Sequence, residues 1–142
     1  MKSLVKEIKC ISQKLRRYLQ DKPSFPLPSI PFKDFPRGCC SDSSFILREL
    51  LNKRLAVDAK LVSYDKSING IPDSHAWVEV DELCIDITMD QFNTELAPSY
   101  PPVYVDSAQC FHKKYRLGEA QTLTPPDWLD YVVEHLDKEI FK

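Results

Sequence analysis

Two runs of this chain alternate so strictly between apolar and polar residues that a β-hairpin is hard to avoid. Ser74-His75-Ala76-Trp77-Val78-Glu79-Val80 and Leu83-Cys84-Ile85-Asp86-Ile87-Thr88 are separated only by Asp81-Glu82. A period of two puts Ala76, Val78, Val80, Leu83, Ile85 and Ile87 on one face, which is apolar throughout. His75, Trp77, Glu79, Cys84, Asp86 and Thr88 fall on the other. With Val80 paired to Leu83, Trp77 lies opposite Asp86 and His75 opposite Thr88. His75 and Asp86 then become diagonal neighbours, about 7–8 Å apart at the backbone and within side-chain reach. The Asp81-Glu82 turn lacks the glycine that a tight two-residue loop prefers.

The rest of the chain is arranged around that hairpin. Leu4, Ile8, Ile11, Leu15 and Leu19 recur at helical spacing, which reads as an amphipathic helix over residues 1–20. Lys14, Arg16 and Arg17 within it read as a solvated face. Residues 21–36 carry Pro23, Pro26, Pro28, Pro31 and Pro36 among Phe25, Leu27, Ile30, Phe32 and Phe35. So many prolines forbid helix and interior strand, and the apolar residues between them suit an arm packed on the surface or over a cleft.

Gly38-Cys39-Cys40-Ser41-Asp42-Ser43-Ser44 follows, then a helical pattern in Phe45, Ile46, Leu47, Leu50 and Leu51. Gly38 can turn the chain, and the Ser/Asp cluster supplies N-cap candidates. Cys39 and Cys40 therefore sit at or just before a helix N-terminus. A strand is expected over residues 56–64, a loop over 65–73, and a short strand at Val103-Tyr104-Val105. Thr124-Pro125-Pro126-Asp127 has the spacing to open and cap a last helix, with Trp128, Leu129, Val132, Val133, Leu136 and Ile140 as its buried stripe. Helix, helix, three or more strands and helix make an α+β fold. At 142 residues, 43% of them hydrophobic, this is one domain with one core. Its parts are an N-terminal helix (1–20), a Pro-rich arm (21–36), a core (37–118) and a C-terminal helix (124–142).

Charge and cysteine usage narrow the class of function. Nineteen basic residues against 21 acidic give no general attraction to nucleic acid or to an anionic membrane. No apolar run is long enough to cross a bilayer, and the first residues are too charged for a signal peptide. The expected location is the cytoplasm, although export by a dedicated machine would leave no such mark. Five cysteines, at positions 10, 39, 40, 84 and 110, cannot all pair within one chain, and none is spaced C-x-x-C. Reduced thiols are expected rather than a disulfide framework or a zinc knuckle.

One reading uses the polar face of the hairpin and the cysteines together. A thiol attacks best as thiolate, which the positive end of a helix favours. A nearby histidine takes its proton and later returns it to a leaving group, and a carboxylate behind that histidine fixes the tautomer. A Cys at a helix start, His75 on a strand and Asp86 on the paired strand supply these parts. Helix-start N–H groups can receive an oxyanion. Trp77 and Gln91 are candidates to line the site, as is whichever of Cys39 and Cys40 is not the nucleophile. Cys84 shares the His75 face.

At Phe-Pro-Arg-Gly-Cys-Cys-Ser-Asp-Ser-Ser, Ser-His-Ala-Trp-Val-Glu-Val and Cys-Ile-Asp-Ile-Thr-Met-Asp-Gln-Phe, the chain resembles the transglutaminase-like branch of the papain-like cysteine enzymes. It is similar to a group of small bacterial proteins with G-x-C, H-A-W and D-x-T-x-x-Q-F patterns. The resemblance covers residues 35–92, with 103–115 as a further candidate stretch, and implies Cys40 as nucleophile, His75 as base and Asp86 as orienting carboxylate. It further implies a Cys-bearing helix packed on an antiparallel sheet that carries His and Asp. Members of the wider group hydrolyse peptides, deamidate or cross-link glutamine, or move acyl groups, and some are inactive scaffolds. The implied substrate is a peptide, a protein or a small acyl compound, and no cofactor is called for. Two other readings stand beside this one. The first is an inactive domain of the same fold that binds a protein through the Pro-rich arm. The second is a metal-binding module drawing on Cys110 and His112, which alternation would place on one side of a strand, together with His75 or Asp86.

Overall fold

The apolar run at the centre of the chain forms helix α2 (Cys40–Leu55). Phe45, Ile46, Leu47, Leu50 and Leu51 occupy too much of its circumference for a single stripe, and all five are buried. A helix of that kind must be covered on more than one side. The sheet covers one side of α2, and helices α1 (Lys2–Asp21) and α4 (Leu129–Ile140) cover another.

The computed structural model describes residues 2–21, 35–36, 39–67, 69–71, 73–93 and 99–141. Most of the Pro-rich arm, with Phe32, and Gly38 lie outside them. The described residues form an α+β fold of four α-helices and a five-stranded antiparallel sheet. The strands are β1 (Lys60–Asp65), β2 (Ser74–Val80), β3 (Leu83–Asp86), β4 (Tyr104–Ser107) and β5 (Glu119–Ala120), in the order β4-β3-β2-β1-β5. Helix α3 (Cys110–Arg116) lies between β4 and β5 in the chain.

The hairpin has the register that alternation demands, with Val80 opposite Leu83 and Val78 opposite Ile85. Its turn closes without glycine because Asp81 adopts φ 53°. A short polar side chain tolerates that left-handed conformation better than most. Val78, Val80, Ile85 and Ile87 join Ile8, Leu15, Leu19, the α2 residues and Leu129, Val132 and Leu136 in the main core. Each fully buried Leu or Ile contributes roughly 1.5–3 kcal/mol of transfer free energy. The other face of the sheet is also covered. Trp77, Cys84, Met89, Tyr104 and Tyr115 make a second, aromatic cluster there.

Several local expectations are corrected. Arg16 is not solvated but buried. Its guanidinium grips both Asp90 oxygens at 2.7 and 2.8 Å and donates to the carbonyls of Ile87 (2.8 Å) and Pro102 (3.2 Å). The ring of Phe35, the last apolar residue of the arm, lies 4.8 Å from that guanidinium. Helix α4 starts at Leu129 with Trp128 at its N-cap and no side-chain cap, so the Thr124 capping box does not form. Consecutive prolines push the residues before them out of helical geometry, and the helix begins only beyond them. Strand β1 begins at Lys60 rather than near Ala56. Ala56 (φ 51°) ends α2, and Asn52 binds Ala59 through both its main-chain N–H (2.7 Å) and its carbonyl (3.3 Å). Cys110-Phe111-His112 is helical, not extended. No helix among the described residues is long and apolar enough to cross a membrane.

Candidate active site

Cys40 is the first residue of α2, and Cys39 is its N-cap. None of the Ser/Asp cluster caps the helix through a side chain. Ser43 instead turns back, its hydroxyl donating to the Cys39 carbonyl at 2.6 Å beside its own N–H at 3.0 Å. The N–H groups that precede Ser43 in the helix have no intrahelical acceptor. The two cysteines part company here. Cys39 is buried in the main core, whereas Cys40 is half-buried and lies close enough to His75 to act on its ring. No vicinal disulfide joins them.

His75 on β2 and Asp86 at the end of β3 meet on the face away from the main core, 0% and 1% exposed. Nε2 of His75 is 2.7 Å from Oδ2 of Asp86. A second imidazole reaches the same oxygen, with Nε2 of His112 on α3 at 2.8 Å. The other oxygen, Oδ1, accepts the Thr88 N–H at 3.0 Å and, more weakly, its hydroxyl at 3.5 Å. Burial alone would raise the Asp86 pKa. The His75 charge and the hydrogen bonds from His112 and His75 outweigh burial and hold the carboxyl well below the usual range. An ionised carboxylate only accepts, so both Nε2 atoms carry the proton.

Burial likewise pushes the His75 imidazole down. The Asp86 charge and hydrogen bond, with smaller help from Cys40, reverse that and carry it up to about 9. Its remaining nitrogen, Nδ1, makes no hydrogen bond of standard geometry among the described residues, while Cys40 is near enough to couple to the ring. Neutral His75 therefore keeps an acceptor lone pair on Nδ1, and charged His75 is a partner for a thiolate.

Aromatic rings enclose the imidazole. Phe92 and Phe111 meet it edge-on with centroids at 5.1 and 5.5 Å, and Tyr115 tilts against it at 5.6 Å. The Tyr115 hydroxyl donates to Asp73 Oδ1 at 2.7 Å, and burial followed by Asp73 pushes its pKa up, with Cys40 contributing. Cys40, His75 and Tyr115 are thus one neighbourhood.

Of the residues expected to line the site, Cys39 is in the core and does not. Trp77 is wholly buried under α3, 5.7 Å from the His75 ring, with Nε1 donating to Glu79 at 3.1 Å. It supports the imidazole from behind and presents no surface to a substrate. Gln91 lies half-buried on the 3-10 turn Met89–Phe92, its N–H donating to the Thr88 carbonyl at 3.0 Å. Cys84 is also buried, which pushes its thiol up to about 11. Among the described residues no group of three or more His, Cys, Asp or Glu is placed to hold a metal ion. His112 and His75 both spend Nε2 on one carboxylate oxygen.

Sequence reasoning missed Phe92, Phe111, Tyr115 and Asp73 as site residues and cast His112 in a different part. The adjacency of Cys110-Phe111-His112 was the only visible signal. A groove of about 650 Å³ along Asp65, Lys66, Ser67, Lys114 and Gly118 does not include Cys40. It lies one ring away, since its Lys66 ammonium sits 4.8 Å above Tyr115.

Comparison with known proteins gave no match, whether against family models, curated sequences or solved structures. The chemistry of the site rests on its residues.

Proposed function

We propose that this chain is a cysteine-dependent hydrolase or acyltransferase acting on an amide or thioester through Cys40, His75 and Asp86. The observation that carries the reading is the division of labour on one imidazole. Nε2 is bound to a buried carboxylate, Nδ1 is left for a proton, and the half-buried sulfur at a helix N-terminus couples to the same ring. The Cys40 thiol gives its proton to Nδ1 of His75 as the sulfur attacks the substrate carbonyl, and first-turn N–H groups of α2 stabilise the oxyanion. The carbon–nitrogen or carbon–sulfur bond then breaks, and the imidazolium gives its proton to the leaving amine or thiol. Water, an amine or a thiol next attacks the acyl-Cys40 thioester. His75 takes the proton of that acceptor, the acyl carbon–sulfur bond breaks, and the imidazolium returns the proton to the sulfur, restoring the Cys40 thiol. Each step conserves charge and needs no cofactor.

A nucleophile-bearing helix packed on an antiparallel sheet is also what a transglutaminase-like, papain-like architecture would provide, and it supports that assignment. A reduced nucleophilic thiol suits a reducing compartment, so we place the protein in the cytoplasm.

The test is incubation with p-nitrophenyl acetate, followed by mapping of the acetyl group by mass spectrometry. Acetylation concentrated on Cys40, absent in Cys40→Ser and slowed in His75→Ala, is the expected result. Acetylation shared evenly with exposed Cys10 contradicts it. The complete enclosure of His75 favours a second reading, an inactive domain that binds a protein partner. In that case Cys40→Ser leaves the biological effect intact.

A further inference from the structure

Asp86 is the only carboxylate bound to His75 among the described residues, and His75 is not its only imidazole. We propose that His112 is a positioning residue of the Cys40 site, fixing Asp86 so that His75 presents Nδ1 to the sulfur. The inference rests on the catalytic reading above and extends it to a residue that this reading does not require.

The geometry has three parts. First, the Asp86 carboxylate is held at both ends. Oδ1 accepts the Thr88 N–H at 3.0 Å, while Oδ2 is shared between His75 at 2.7 Å and His112 at 2.8 Å. Among the described residues, nothing but His75 itself would hold Oδ2 without His112, and the group to be oriented would be orienting its own partner. Second, His112 is itself immobilised. It is 0% exposed, and its ring lies 4.8 Å from that of Trp77, 5.3 Å from Tyr104 and 5.2 Å, edge-on, from Phe111. Third, among the described residues its Nδ1 has no hydrogen-bond partner, so Asp86 sets its tautomer. Nε2 must carry the proton, and the bond to Asp86 has a single polarity.

His112 has no route to substrate and acts through Asp86. It also ties the site to α3. That seven-residue helix brings Phe111, His112 and Tyr115 over the sheet face together. If the helix lifts, Oδ2 of Asp86 loses its second donor and the imidazole loses two ring contacts at once.

The experiment compares His112→Phe, which fills the volume without a donor, with His112→Gln, whose amide N–H approximates Nε2–H. Two quantities are read: the rate of Cys40 acetylation by p-nitrophenyl acetate, and the downfield proton resonance of His75 Nε2–H. Thermal unfolding of both variants checks that they fold. His112→Phe is expected to slow acetylation by about tenfold or more, the scale seen when outer partners of metal-bound histidines are removed. It should also broaden or lose the resonance. His112→Gln should keep the resonance and react faster than His112→Phe. A wild-type rate in His112→Phe overturns the proposal, as does a His112→Gln variant as impaired as His112→Phe. If either variant fails to fold, the resonance in the other decides in the same sense. Should wild-type Cys40 show no preferential acetylation, the catalytic reading fails instead. The resonance still reports whether His112 fixes His75.

Discussion

Nε2 of His75 and Oδ2 of Asp86 lie 2.7 Å apart, joined across two strands by residues eleven positions apart in the chain. The bond sits on the sheet face away from the main core, and the main core sets its register. If the hairpin slipped by one residue, Val78, Val80, Ile85 and Ile87 would leave the interior. Packing on one face therefore fixes a polar contact on the other.

Asp86 is expected to matter for stability as well as chemistry. Asp86→Ala leaves two buried imidazoles without an acceptor and should cost about 3–5 kcal/mol, the scale for breaking a buried pair. Asp86→Asn keeps the shape but presents an amide to Nε2, and should lower the acylation rate of Cys40 by about 10⁴ if the usual role of such a carboxylate holds. Urea denaturation separates the two effects. A folded Asp86→Asn with an undiminished rate would deny the carboxylate its orienting role.

The pH dependence has a definite sign. The His75 pKa is raised from 6.5 in the unfolded chain to about 9. Its contribution to stability is fully present below pH 6.5 and is lost as pH rises through about 9. Asp86 is depressed, so its contribution is present above about 3.8 and is lost as pH falls below that value. Denaturation midpoints of wild type and His75→Gln, compared between pH 6 and 10, should converge toward the alkaline end. A gap that stays constant counts against the raised pKa.

Arg16 joins α1 to the turn that follows Asp86, through Asp90 and the carbonyls of Ile87 and Pro102. Arg16→Met should cost about 3–5 kcal/mol, because it strands the Asp90 carboxylate and the Ile87 carbonyl. Arg16→Lys should recover only part of that, since an ammonium cannot make the two-pronged grip. Chemical denaturation measures both. A neutral Arg16→Met would mean that solvent already satisfies these groups.

Much of the site's first half was legible in the sequence. Register arithmetic over residues 74–88 placed His75 beside Asp86, because a period of two leaves few alternatives when one face is apolar. The position of Cys40 at a helix start was legible for a similar reason, but spacing did not show that Cys39 is buried in the core while Cys40 is half-buried. The cover was not legible. Helix α3 has seven residues, too few for a helical period to emerge, and Cys110-Phe111-His112 alternates as a strand would. Trp77 could be placed only as a candidate to line the site for the same reason, since the element that buries it went unseen. Arg16 resembled its neighbours Lys14 and Arg17 because its partners lie more than 70 residues away along the chain.

The account as a whole is tested most directly by the alkylation rates of the individual cysteines at pH 6, read by mass spectrometry after iodoacetamide treatment of wild type and His75→Ala. A sulfur paired with the His75 ring should make Cys40 react well ahead of exposed Cys10, with Cys84 unreactive behind its burial and raised pKa of about 11. His75→Ala should abolish that advantage, a loss of about 10² or more. Equal, slow alkylation of Cys40 and Cys10 in wild type, unchanged by His75→Ala, would contradict the claim that sulfur and imidazole work as a pair.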